Sequence, residues 1–146
     1  MICIYPVLAD DNSRKIALGS SLFFDKNLSL QGNQSCATCH DPERAFIDPR
    51  DTGVSSTASL GDDLKSLGDR NTPSLSYLAA VPDFHLNEIN HQPMGGLFWD
   101  GRATNLVDQA GQPILNPTEM AMPDRATVVD RVISNEFYLR ALQDIW

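Results

Sequence analysis

The stretch Cys36-Ala37-Thr38-Cys39-His40 constrains this chain more than any other. Two cysteines three positions apart face the same side of one helical turn, and a histidine follows at once. This is the attachment pattern of a c-type haem, in which two thiols close thioether bonds to the porphyrin vinyl groups and the imidazole becomes the proximal ligand of the iron. Two other chemistries use the same residue types. A thioredoxin-like redox pair would need a buried strand just before the motif. Here Leu30-Gln31-Gly32-Asn33-Gln34-Ser35 reads instead as a polar loop that ends in a helix cap at Ser35. A zinc site could recruit Cys36 and Cys39 together with His85 and His91, but it would leave the position of His40 without a reason.

Nine prolines and nine glycines in 146 residues point to one loop-rich domain with a modest core, to which a large apolar cofactor adds volume. A formal charge of −8 excludes a nucleic-acid surface and favours protein partners with a basic face. No apolar run approaches the roughly 18 residues of a transmembrane helix. Met1–Leu8 is apolar, but it lacks a basic flank and is too short for a secretory core. Covalent haem attachment through this motif normally takes place outside the cytoplasm. The expected location is therefore periplasmic or otherwise exported, with the signal lying outside these residues. Cys3 is a leftover thiol with no assigned role.

The spacing of Ile16, Leu18, Leu22 and Phe23 predicts a first helix over 13–24, capped by Ser13. A short haem-attachment helix follows and stops at Asp41-Pro42. Glu43–Arg70 reads as an irregular loop along one edge of the cofactor, anchored by Phe46. Thr72-Pro73 is expected to open a helix through Ala80. Val81–Gly96, with two prolines and Gly95-Gly96, reads as an exposed excursion. A further helix is predicted from Thr104 to Gly111, ended by that glycine and Pro113. The last region starts at Pro123-Asp124, with Val128, Val129, Val132 and Ile133 on one face. After a break at Ser134-Asn135, Phe137, Leu139, Leu142, Ile145 and Trp146 continue the apolar pattern. No segment alternates as a strand does. The expected fold is mainly α, a cytochrome c-like haem domain with long irregular loops.

Four motifs in order then carry a specific resemblance: Leu22-Phe23-Phe24-Asp25 before Ser35–Pro42, Arg70-Asn71-Thr72-Pro73-Ser74-Leu75, Phe98-Trp99-Asp100-Gly101-Arg102, and Asn116-Pro117-Thr118-Glu119-Met120. From about Ala17 onward the chain resembles the amino-terminal, peroxidatic domain of the bacterial di-haem cytochrome c peroxidases, a family that includes the enzyme maturing tryptophan tryptophylquinone. The resemblance implies a domain that reduces hydrogen peroxide at an open haem face. Electrons would come from a second haem domain or from a donor protein, a small cytochrome or copper protein. With one Cys-x-x-Cys-His, residues 1–146 are expected to be a single haem domain, the amino-terminal half of a two-domain protein. The resemblance further implies Glu119 as general acid/base, Gln109 as the amide that orients peroxide (Gln112 next in line), and Trp99 as an electron relay between haems. It also implies Asn71 as a ligand of an interdomain calcium. Arg102 could pair with a haem propionate or with Asp100 or Asp108.

The sequence departs from the family at two places. The loop Glu43–Arg70 holds no histidine to block the iron, as in the quinone-maturing members whose site is always open. The stretch before Trp99 is longer than expected and contains His85, His91 and Met94, any of which could become a sixth ligand. The competing function is a single-haem electron-transfer cytochrome with both axial positions filled by protein.

Overall fold

The computed structural model describes residues 10–53 and 57–146. Met1–Leu8 and the thiol of Cys3 lie outside the described residues. Helix α1 spans Asp11–Phe23, α2 Cys36–Cys39, α3 Leu106–Ala110, α4 Gln112–Leu115, α5 Arg125–Ile133 and α6 Glu136–Ile145. The long connections contain 3₁₀ turns at Lys26–Leu28, Pro42–Arg44 and Leu78–Ala80. The mainly helical class expected from the sequence is observed.

Helix α1 packs against α6, and α5 packs against both α6 and the Lys26–Leu28 turn. The apolar core is thin. Leu18, Leu28 and Tyr138 are buried at the helical end, and Leu97, Ala103, Met120 and Met122 beneath the loops. Polar groups do much of the remaining joining. Arg131 on α5 donates from Nη1 to the carbonyls of Asn27 (2.8 Å) and Ser29 (2.5 Å), and from Nη2 to that of Leu30 (3.1 Å). One guanidinium thereby satisfies three carbonyls of the loop that leads to α2.

Several expectations are corrected. Helix α1 starts earlier than predicted because the Asp10 carboxylate, not the Ser13 hydroxyl, is its cap, accepting the Ser13 N–H at 2.7 Å. Thr72 caps no helix: its hydroxyl is bonded to that of Ser59 at 2.6 Å. Ser74 instead accepts the Ser76 N–H (3.0 Å) and donates to the Ala45 carbonyl (2.5 Å), and Tyr77 sits at φ 65°, so only Leu78–Ala80 coils. The helix before Gly111 ends there as expected, with Gly111 as the C-cap of α3, but Pro113 ends nothing: it occupies the first turn of α4, where a missing N–H costs nothing. A short antiparallel ribbon also forms, β1 (His85–Leu86) pairing with β2 (Pro93–Met94). It lies inside the excursion read as exposed, and it is exposed. Gly95 closes its base at φ 68°, where a Cβ would collide with the Pro82 carbonyl. In the last two helices the break at Ser134 is observed, with caps at Asp124 and Asn135. The buried residue there is Tyr138, whereas Val129 and Phe137 face outward.

Asp62 is 1% exposed and its carboxylate accepts the main-chain N–H groups of Gln31 and Asn33, the latter at 3.0 Å. Asp62→Ala leaves two part-buried main-chain donors without their carboxylate partner. It is expected to lower unfolding stability by about 3 kcal/mol, read from urea midpoints at constant m-value.

Candidate active site

The attachment turn is built by local hydrogen bonds. The Ser35 N–H donates to Thr38 Oγ1 at 2.9 Å and the His40 N–H to the Cys36 carbonyl at 2.9 Å, which closes α2 immediately before the imidazole. Cys36 and Cys39 are free thiols, both half-buried on this one turn. His40 Nδ1 lies 3.1 Å from the Phe46 carbonyl. A carbonyl oxygen can only accept, so the ring proton is on Nδ1 and Nε2 keeps its lone pair. Burial lowers the His40 pKa, offset in part by the Phe46 and Pro73 carbonyls and the charge of Asp48, and so favours the neutral ring a metal ligand requires.

The thiols argue against the redox alternative to haem. Burial pushes Cys36 up from its ordinary value and Cys39 up to about 11. A reactive redox pair needs a thiolate, the opposite shift. The proposed zinc set is also not assembled. Among the described residues no group of three or more His, Cys, Asp or Glu side chains could hold a metal ion. His85 and Met94 instead face each other in the exposed ribbon, where His85 Nδ1 is 2.8 Å from the Asp83 carbonyl. Paired neutral thiols and a free imidazole Nε2 on one turn fit a covalently held haem.

Glu119 stands in a tight turn after α4. Asn116 organises it: Oδ1 accepts the Thr118 N–H (3.0 Å) and hydroxyl (3.1 Å), while Nδ2 donates to Glu119 Oε1 at 2.9 Å. Gly61 lets a neighbouring turn press on this segment, since a Cβ there would come 2.7 Å from the Thr118 carbonyl. Burial raises the Glu119 pKa, the Asn116 bond and the charge of Arg102 lower it in part, and Asp69 raises it further. The negative charge of Glu119 also opposes ionisation of Cys39, so the carboxyl and the attachment sulfur share one neighbourhood.

The remaining predicted residues are spread around this centre. Gln109 is half-buried on α3 and, among the described residues, forms no side-chain hydrogen bond with Glu119. Gln112 is turned back to Asp108, 3.3 Å from its carbonyl and 3.4 Å from Oδ1. Trp99 is 64% exposed and donates from Nε1 to the Asn71 carbonyl at 2.8 Å. Arg102 pairs with Asp100 rather than Asp108, at 2.9 and 3.0 Å, with the guanidinium 3.7 Å above the Phe98 ring. Arg70 shares the same carboxylate at 3.0 Å.

Sequence reasoning missed three contributors. Arg50 donates from Nη2 to Cys39 Sγ at 3.2 Å while Asp48 grips it at 2.9 Å (Nε) and 2.6 Å (Nη2). Gln34 is buried against both Cys39 and the main chain of Glu119. Asn116 was legible only as the Asn-Pro step that favours a side-chain-stabilised turn. Nothing local marks Gln34 or Arg50, because their partners are distant in the chain or belong to an irregular loop.

A sequence model of the di-haem cytochrome c peroxidases matches residues 13–146. The chain belongs to that family. It is 57% identical over 122 residues to the methylamine utilization protein MauG of Paracoccus denitrificans, covering 84% of this chain and 31% of that protein. It is 36% identical over 110 residues to the cytochrome c peroxidase Ccp of Escherichia coli K12, covering 75% and 19%. The solved diheme peroxidase BthA of Burkholderia thailandensis superposes with a TM-score of 0.80 at 32% identity, over 93% of this chain and 35% of that one. The chain thus spans about a third or less of the length of these family members.

Cys36→Ala or Cys39→Ala alone is expected to leave haem on a single thioether. The double substitution should leave haem that extracts into acidified acetone. A native chain whose mass carries no haem would overturn the assignment.

Proposed function

We propose that this chain is a haem-dependent peroxidase domain that reduces hydrogen peroxide, or uses it to oxidise a partner, with electrons relayed from a second haem domain or a donor protein. The observation that carries the proposal is the half-buried Glu119, whose main-chain carbonyl is joined to the Cys39 sulfur through the amide of Gln34 and whose carboxyl is raised in pKa by burial. An electron-transfer cytochrome needs no such proton-exchanging group. Family membership supports the same reading.

Cys36 and Cys39 would hold the haem and His40 Nε2 its iron, and the haem would supply the redox chemistry that passes donor electrons to peroxide. The chain's own task is proton transfer. Heterolysis needs a proton moved from the inner to the outer peroxide oxygen, and a carboxyl whose pKa burial has raised can accept it and return it. Asn116 holds Oε1 and so leaves Oε2 as the oxygen for that exchange. Gln109, half-buried on α3, is assigned to orienting peroxide. Trp99, pinned at its indole N–H but with much of its ring exposed, suits an electron relay at a domain boundary. The same reading gives Arg102 a propionate to pair with once haem is bound, and Asn71 a calcium ion shared with a second domain. It places residues 1–146 as the amino-terminal part of a two-domain periplasmic protein. No described helix is long and apolar enough to cross a membrane.

Glu119→Gln is expected to slow the reaction of the ferric protein with stoichiometric peroxide by about 10²- to 10⁴-fold, followed at the Soret band. The pH profile has a definite sign. The carboxyl must be ionised to take the first proton, and its pKa lies above the ordinary 4.5. The rate should therefore fall on acidification, with a midpoint above 4.5 that vanishes in Glu119→Gln. A six-coordinate low-spin haem inert to peroxide would defeat the proposal.

A further inference from the structure

Gln34 is 1% exposed, yet it carries an amide that water cannot reach. Its main-chain N–H donates to Ser29 Oγ at 3.3 Å. Its Nε2 donates to the Glu119 carbonyl at 2.6 Å, and its Oε1 faces Cys39 Sγ at 3.7 Å. The same Glu119 carbonyl accepts a second N–H, from Asp62, at 2.7 Å. Asp62 is itself locked to the attachment loop, its carbonyl accepting Asn33 Nδ2 at 2.8 Å and its carboxylate the N–H groups of Gln31 and Asn33. A buried amide costs free energy unless its atoms are partnered, and Met would fill the same volume without that cost. What distinguishes Gln34 is therefore what it joins.

We propose that Gln34 is a positioning residue for Glu119: its amide spans from the Cys39 sulfur to the Glu119 main chain, so that the haem-attachment turn sets where the carboxyl stands. The proposal rests on the reading of Glu119 as the proton-transfer group. Two donors on one carbonyl fix the Glu119 main chain, and Asn116 at 2.9 Å then selects the direction of its carboxyl. Thioether formation consumes the Cys39 S–H that faces Oε1. The Nε2 bond does not depend on that proton, so the brace outlasts attachment. A displacement near 1 Å in a proton-transfer group is enough to cost on the order of a hundredfold in rate.

The test is a double-substitution cycle on the haem-loaded protein, read as the rate of the Soret change with peroxide and, separately, as covalent haem per chain by mass. Gln34→Met is expected to slow the reaction by roughly tenfold to a hundredfold at unchanged haem content. Gln34→Glu keeps the shape and the oxygen facing Cys39 but loses the donor, and should match it at neutral pH. The variant Gln34→Met/Glu119→Gln should be no slower than Glu119→Gln alone, because Gln34 acts only through that carboxyl. A wild-type rate in Glu119→Gln removes the underlying reading and this inference with it. A slow Glu119→Gln beside a wild-type Gln34→Met, or effects that multiply in the double variant, overturns the role of Gln34 alone. Failure of both Gln34 variants to take up haem makes Gln34 a folding residue and also overturns it.

Discussion

The carbonyl oxygen of Glu119 is the point on which the structure of the site depends. It accepts from Gln34, just before the attachment turn, and from Asp62, in the turn that grips the same loop. These two donors tie a segment near residue 119 to one near residue 34, across a region with few buried apolar side chains. In a thin core, main-chain position is set by hydrogen bonds that water cannot compete for, and each buried polar atom there is worth more than a surface one. Among the described residues the buried polar side chains are those of Ser29, Gln34, Ser35 and Asp62, and all four lie in or against this junction.

The electrostatics follow from the same arrangement. Burial raises Glu119 and Cys39 and lowers His40, so each is pushed toward its uncharged form. Charges within reach are paired. Asp48 is pushed up by burial but held down on balance by its bonds to Arg50 and Ser59. Asp100 is likewise lowered on balance by Arg102 and Arg70, after a burial contribution of opposite sign.

The family relationship sharpens the comparison between sequence and structure. The helical class, the break between α5 and α6, and the attachment turn with its Ser35 cap were legible because each is encoded within a few residues. Boundaries failed where a polar side chain chose a partner that local pattern cannot reveal. Asp10 displaced Ser13 as a cap, Ser59 claimed Thr72, and Pro113 continued helical structure because it fell in a first turn. The two-strand ribbon was missed because two residues per strand are too few to alternate.

By itself the sequence pointed to a haem held by Cys36 and Cys39 and ligated by His40, since that chemistry needs three residues within five positions. It also pointed to Glu119 through a motif shared with a family. Only the tertiary structure decided that Glu119 stands near Cys39, that Gln34 and Asp62 hold its main chain, that Arg102 pairs with Asp100, and that Gln112 turns away toward Asp108. The physical reason is separation. Hydrogen bonds between residues 85 positions apart leave no periodicity, spacing or composition by which a sequence could announce them.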